Sequence, residues 1–306
     1  MNRPGSAEPI RDAGRRSAAR ALVLVLVLAG GLCGGTCKPG LPSLAPDPMP
    51  PLEGPLYPAG DGPLVLFHEA KENVHTLDDL YLPTGELLAW DGYDVAAQTT
   101  DLASLADLED VAVLVIATPT VPYPPEEVDV IEEWVWGGGS LLLVTDHTPL
   151  PPGIVSLADA FGVTVLDVTV KTERNCGLFW GCTTFAASTH PIASSTQKTS
   201  VLESDALTDG FGYVSTFGGT ALIGGTSLLT FGPDSVFQGT QTSAEGLSQG
   251  VIVAHGAGRV YVSGEAAMFS NRIQGPWQST PTGWDVPWAE YNRNYLLRIV
   301  HWLDPQ

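Results

Sequence analysis

Three apolar runs in this chain are continuous rather than alternating: Leu64–Phe67, Val111–Ala117 and Leu141–Val144. A strand with one wet face alternates every second residue, whereas a strand covered on both faces does not. The runs therefore predict central, buried strands of a parallel sheet. Between them the period changes. Pro124-Pro125-Glu126-Glu127 opens a helix with proline at its start and acid in its first turn. Val128, Ile131, Trp134 and Val135 give that helix one apolar face. Ile154, Leu157, Ala158 and Phe161 predict another helix, followed by a strand over 163–166. Residues 77–91 read as helical with an interruption at Pro83, and lead to a strand over 94–98. Strands and helices alternating at this spacing imply right-handed βαβ units and an α/β fold with a mostly parallel sheet and helices on both faces.

After Asp167 the pattern weakens, and residues 170–200 read as a variable segment or flap. Strands with glycine turns are predicted over 213–217 and 222–232. Val251–Ala254 and Arg259–Ser263 flank His255-Gly256-Ala257-Gly258, a hairpin signal. A last helix runs over 289–303. Gly137-Gly138-Gly139 is a helix end and turn, not a phosphate loop, because it follows a helix and precedes a strand. No internal repeat is present, so 64–306 reads as one domain.

The N-terminal part has a different character. Arg15-Arg16 and Arg20 precede the apolar run Ala21–Ala29, which is short of the about 20 residues of an ordinary membrane span. Residues 1–37 are expected to be an export signal. Cys33 and Cys37 follow the run and are candidate lipidation sites, so that lipoprotein and plain secretion both stay open. Residues 38–63 hold nine prolines and read as an extended linker. The expected location is the cell envelope, as a periplasmic or outer-membrane lipoprotein, or outside the cell.

The net charge of −20 becomes more negative without residues 1–37, which carry five of the 14 basic and two of the 34 acidic residues and leave −23. Such a surface repels nucleic acid and anionic lipid and favours cationic partners or metal ions. Cys176 and Cys182 are the remaining cysteines. In an oxidising compartment a local disulfide is expected, contributing about 2 kcal/mol.

Chemistry-bearing residues follow the apolar runs. His68 and Glu69 end the first, with Asn73 and His75 in the loop beyond; Asp146 and His147 end the third; Glu265 follows the Arg259–Ser263 strand. In open α/β sheets ligands bind at the carboxyl ends of such strands. Three readings stay open. Asp146 and His147 serve as turn chemistry; the edge binds a small polar ligand without turnover, with His68, Asn73, His75, His190 and Glu265 lining it; or Glu69, Asp146 and His147 act as candidate catalytic groups in hydrolysis, with a divalent metal as the candidate cofactor.

The order of Phe67-His68-Glu69-Ala70, Val113–Pro119, Gly138–His147, His190-Pro191-Ile192, Gly258–Phe269 and His301-Trp302-Leu303 resembles the class I glutamine amidotransferase-like superfamily, nearest its ThuA-like and GldG-type bacterial branches. That resemblance implies a flavodoxin-like fold over roughly 64–303. It also places a cysteine nucleophile where this chain has Val144-Thr145-Asp146-His147, so thiolate-dependent glutamine hydrolysis is not expected. The expected function is a noncatalytic ligand- or partner-binding domain at the cell envelope. The alternatives are a metal-assisted hydrolase and a structural subunit of an envelope complex.

Overall fold

The computed structural model describes residues 43–44, 54–172, 183–186, 213–274, 280–286, 289 and 291–304. Cys33, Cys37, Cys176, Cys182 and His190 lie outside the described residues, as do residues 1–37, where an export signal was expected, and most of the 170–200 segment.

Nine strands form one mixed sheet. In chain order they are β1 (Leu64–His68), β2 (Asp94–Gln98), β3 (Val111–Ala117), β4 (Ser140–Val144), β5 (Thr164–Val165), β6 (Leu222–Ile223), β7 (Thr226–Thr230), β8 (Ser248–His255) and β9 (Gly258–Ser263). Their order is β2-β1-β3-β4-β9-β8-β6-β5, with β7 also paired to β8. From β2 to β9 all neighbours are parallel. Beyond β9 the pairs are antiparallel.

Helices α1 (Leu82–Trp90), α2 (Pro125–Trp136), α3 (Ile154–Ala160) and α4 (Asn292–Leu303) cover both faces. The strand side chains explain why. Leu142 and Val144 point with Val65, Phe67, Val113 and Val115 to one core, which holds Leu87 and Leu88 of α1 and Tyr295, Leu296 and Ile299 of α4. Leu141 and Leu143 point with Leu66, Leu114 and Ile116 to the other, against Ile131 and Val135 of α2 and Ile154 and Leu157 of α3. A strand buried on both faces needs apolar side chains at every position. No helix among the described residues is long and apolar enough to cross a membrane.

Two expectations change. Pro83 does not interrupt a helix over 77–91. It sits in the first turn of α1, where its missing N–H costs nothing, and residues 77–81 form turns instead. The strand at 163–166 does not continue the parallel series. Thr164–Val165 pairs antiparallel with β6 at the far edge. The hairpin β8–β9 forms around Gly256, whose φ of 60° lies in the left-handed region.

Residues 54–62, within the predicted linker, lie against the domain as a strap. Asp91 is fully buried; its Oδ1 accepts the Leu56 N–H at 2.9 Å and its carbonyl accepts the Tyr57 N–H at 3.1 Å. The Tyr57 hydroxyl donates to Asp304 Oδ2 at 2.5 Å, and the Tyr57 ring meets Tyr93 edge-on at 5.3 Å. Gly92, with φ of 95°, passes so close that a Cβ there would lie 2.2 Å from the Tyr57 carbonyl oxygen.

Candidate functional site

The parallel register brings four carboxyl ends to one edge. Phe67 pairs with Val115, Ala117 with Val144, and Val144 with Ser263. The segments His68–His75, Thr118–Tyr123, Thr145–His147 and Gly264–Glu265 therefore leave the sheet side by side.

The first two of these loops are bonded together. Asn73 Nδ2 donates to the Ala117 carbonyl at 2.8 Å, and Asn73 Oδ1 accepts the Lys71 N–H at 3.2 Å. The N–H groups of Thr120 and Val121 both reach the Lys71 carbonyl at 3.0 Å. Thr120 Oγ1 donates to the Glu72 carbonyl at 2.8 Å, and the Val74 N–H to the Thr118 carbonyl at 3.2 Å. Glu72 and Thr118 have φ of 50° and 44°. Such left-handed conformations cost non-glycine residues about 1–2 kcal/mol each and persist where surrounding bonds hold them.

His68 is buried at the end of β1. Its Nε2 lies 3.1 Å from the Thr100 carbonyl, which only accepts, so Nε2 carries the proton. Its Nδ1 then accepts from the Tyr123 hydroxyl at 2.6 Å. Burial is the main cause that brings its pKa down to about 4, so the neutral tautomer persists at neutral pH. Beside it, Lys71 Nζ lies 2.6 Å from both Asp101 Oδ1 and Glu127 Oε1. Lys71 also stands 5.4 Å from the Tyr123 ring centre.

His75 occupies a second buried cluster. Its Nε2 accepts from Arg272 Nη1 at 3.0 Å, because a guanidinium has only donors. Its Nδ1–H and its backbone N–H both donate to Thr118 Oγ1, at 2.8 and 3.2 Å. Desolvation, and then the Arg272 charge, hold the His75 pKa well below the usual imidazole value. Its ring packs on Tyr81 at 4.8 Å, and the Tyr81 hydroxyl donates to the Ala266 carbonyl at 3.1 Å. Glu265 is buried nearby. Its Oε1 accepts the Ala267 N–H at 2.8 Å and its Oε2 the Met268 N–H at 2.7 Å. Burial, then the charge of Asp146, push its pKa up to about 8, against the opposing pull of Arg272.

The predicted catalytic set is not brought to one point. Glu69 Oε1 accepts the Leu77 N–H at 2.6 Å, and burial raises the Glu69 pKa. Asp146, half-buried, accepts the His147 N–H at 2.8 Å. His147 is exposed, its Nδ1 2.8 Å from the Thr148 carbonyl. Among the described residues no three His, Cys, Asp or Glu side chains gather in an arrangement that could hold a metal ion. Lys71, Tyr123, Glu127 and Arg272 belong to the edge and were not anticipated. The one signal for Lys71 was its place in a charged stretch directly after a buried strand.

The family described as Domain of unknown function (DUF4350) matches residues 85–275. No curated protein matches the chain. Among solved structures, the mmIFT52 N-terminal domain is similar with a TM-score of 0.60 and 16% identity, over 78% of this chain and 97% of that one. The Cytoplasmic Protein STM1381 from Salmonella typhimurium LT2 gives a TM-score of 0.44 and 14% identity, over 79% and 99%. The first likeness speaks for the fold alone. The family match corrects the expected membership of the glutamine amidotransferase-like superfamily: the family that matches is DUF4350. The misreading has a physical source. Four of the quoted segments contain a buried strand with a polar end, which any parallel α/β sheet requires.

Proposed function

We infer that this chain, which belongs to the DUF4350 family of domains of unknown function, is a noncatalytic ligand- or partner-binding domain carried at the cell envelope by its N-terminal leader. One observation carries this reading: the ionisable groups anticipated as chemistry and described at the edge are engaged with the chain itself. His68 is held by Thr100 and Tyr123, His75 by Thr118 and Arg272, Glu69 by Leu77, and Glu265 by Ala267 and Met268. A general base needs a proton to take and a nucleophile within hydrogen-bond reach. These groups have structural partners in those places.

The strand order supports a finer, flavodoxin-like reading of the five parallel strands. β2-β1-β3-β4-β9 follows the 2-1-3-4-5 order, in which the ligand crevice opens between β1 and β3. Here the loops after β1 and β3 are bonded across that crevice through Lys71, Asn73 and Thr120. Binding is therefore assigned to the neighbouring edge of β4 and β9, where Asp146 and His147 reach solvent.

The test is made on the full chain in envelope preparations and in purified form. Retention of a specific binder, weakened by Asp146→Ala in a protein that keeps its fold, is expected. Robust hydrolytic turnover that Asp146→Ala abolishes in a folded protein would overturn the noncatalytic reading.

A further inference from the structure

Arg272 is 6% exposed, yet it forms no ion pair among the described residues. Its Nη1 donates to His75, a neutral acceptor, and its Nε–H is buried with no hydrogen-bond partner. Glu265, the buried carboxyl whose charge acts on it, has one oxygen on the Ala267 N–H and the other on the Met268 N–H. Buried guanidinium groups are ordinarily paired with an anion, because an uncompensated buried charge costs several kcal/mol. A planar fork with a free N–H edge is the geometry that takes a carboxylate or phosphate through two parallel bonds. The cluster also lies where α/β sheets bind ligands, since His75 is fastened to Thr118 at the end of β3 and Glu265 follows β9.

We propose that Arg272 is the anchor of a small-anion site, and that the ligand of this edge carries a carboxylate or phosphate group that pairs with the Arg272 guanidinium. The proposal rests on the binding reading above and gives it a ligand chemistry. Asp146, next along the edge, disfavours a multiply charged anion and favours a ligand that also carries a cationic group.

The probes are acetate, glycine and inorganic phosphate, added to the full chain at constant ionic strength set with chloride. The readouts are the 15N–1H resonance of Arg272 Nε–H and the melting temperature. A saturable movement of the Nε–H resonance with at least one probe is expected, together with a rise of several degrees in melting temperature. Arg272→Lys keeps the charge but loses the fork, and binding at least tenfold weaker is expected. Response to acetate alone assigns a carboxylate ligand, response to phosphate alone a phosphate ligand, and a tighter response to glycine than to acetate places the cationic group at Asp146. An Nε–H resonance unmoved by all three probes overturns the site, as does an equal thermal response in Arg272→Lys. If the lysine variant fails to fold, the wild-type titration decides by itself. Loss of the anion response with an Asp146-dependent binder still retained removes this site alone. A saturating Arg272 with no binder retained removes the envelope-partner reading alone.

Discussion

Lys71 Nζ and Glu127 Oε1 stand 2.6 Å apart, with each side chain 7% exposed. The second partner of the lysine, Asp101, is 69% exposed and adds little in water. The buried pair is different, because breaking it strands a charge. Lys71→Met is expected to destabilise the domain by about 3 kcal/mol, since Glu127 then lies buried without a cation. Glu127→Gln in the same chain should recover part of that loss. Urea denaturation of the single and double variants checks both statements; equal midpoints for wild type and Lys71→Met would show that the pair contributes nothing.

The pH dependence has two opposed limbs. His68 binds a proton near pH 6.5 when unfolded but only near 4 in the fold, so its contribution is complete above 6.5 and is lost as pH falls towards 4. His75 acts in the same direction. Glu265 ionises near 4.5 when unfolded and near 8 in the fold, so its contribution is complete below 4.5 and is lost as pH rises to 8. Glu69, also raised, adds to that loss. Stability should therefore be greatest between about pH 4.5 and 6.5, where the limbs offset each other, and should fall on both sides. Glu265→Gln should flatten the decline above pH 6.5. Asp146→Ala should move the Glu265 titration to lower pH, because it removes a like charge. Melting temperatures across pH 4–9, with NMR titration of the carboxyl carbon, test all three.

Glu72 is exposed and left-handed at φ 50°, and its carbonyl accepts from Thr120. Glycine removes the steric cost and keeps the carbonyl, at the expense of extra freedom in the unfolded chain. Glu72→Gly is expected to stabilise by up to about 1 kcal/mol. Glu72→Val should destabilise, since β-branched residues tolerate this region worst. A glycine variant less stable than wild type would mean that the Glu72 side chain does something besides occupy a turn.

Asp91 joins the strap to α4. Its Oδ1 takes the Leu56 N–H and its Oδ2 lies 2.5 Å from His301 Nε2. Asp91→Ala leaves a partly buried imidazole and a backbone N–H without those partners, and a loss of about 2 kcal/mol is expected. Limited proteolysis should then cut within residues 54–62 before the rest of the domain. A cleavage pattern identical to wild type would show that the strap is held by packing alone.

Much of the fold could be read from residue pattern because the central strands are apolar at every position. β1, β3 and β4 needed only their composition, and α2 announced itself through Pro125, Glu126 and Glu127. The far side of the sheet was harder. β5 and β6 have two residues each, too few for any period, and what fixes them is their antiparallel pairing with each other at a separation of 57 positions between Val165 and Leu222. The edge was legible as a place but not as a set of partners. His68, His75 and Glu265 were anticipated there, whereas Arg272 was not, because an isolated arginine outside every predicted element reads as solvent-facing. Its hydrogen-bond partner, His75, lies 197 positions earlier in the chain. Asp146 and His147 drew attention by their position after a buried strand, and they turned out to be bonded to their own loop.

The bond from Tyr57 to Asp304 spans 247 positions. A contact of that separation forms late, because the intervening chain must be ordered before it is rewarded. During synthesis, the strap emerges among the first residues of the folded unit and Asp304 among the last. The strap can take its bonds to Asp91 and Gly92 early, but it lacks its second fastening, at Asp304, until nearly the whole domain exists. The strap therefore passes from one set of bonds to two when the last turn of α4 is complete, and its full docking marks the moment at which both ends of the folded unit are in place.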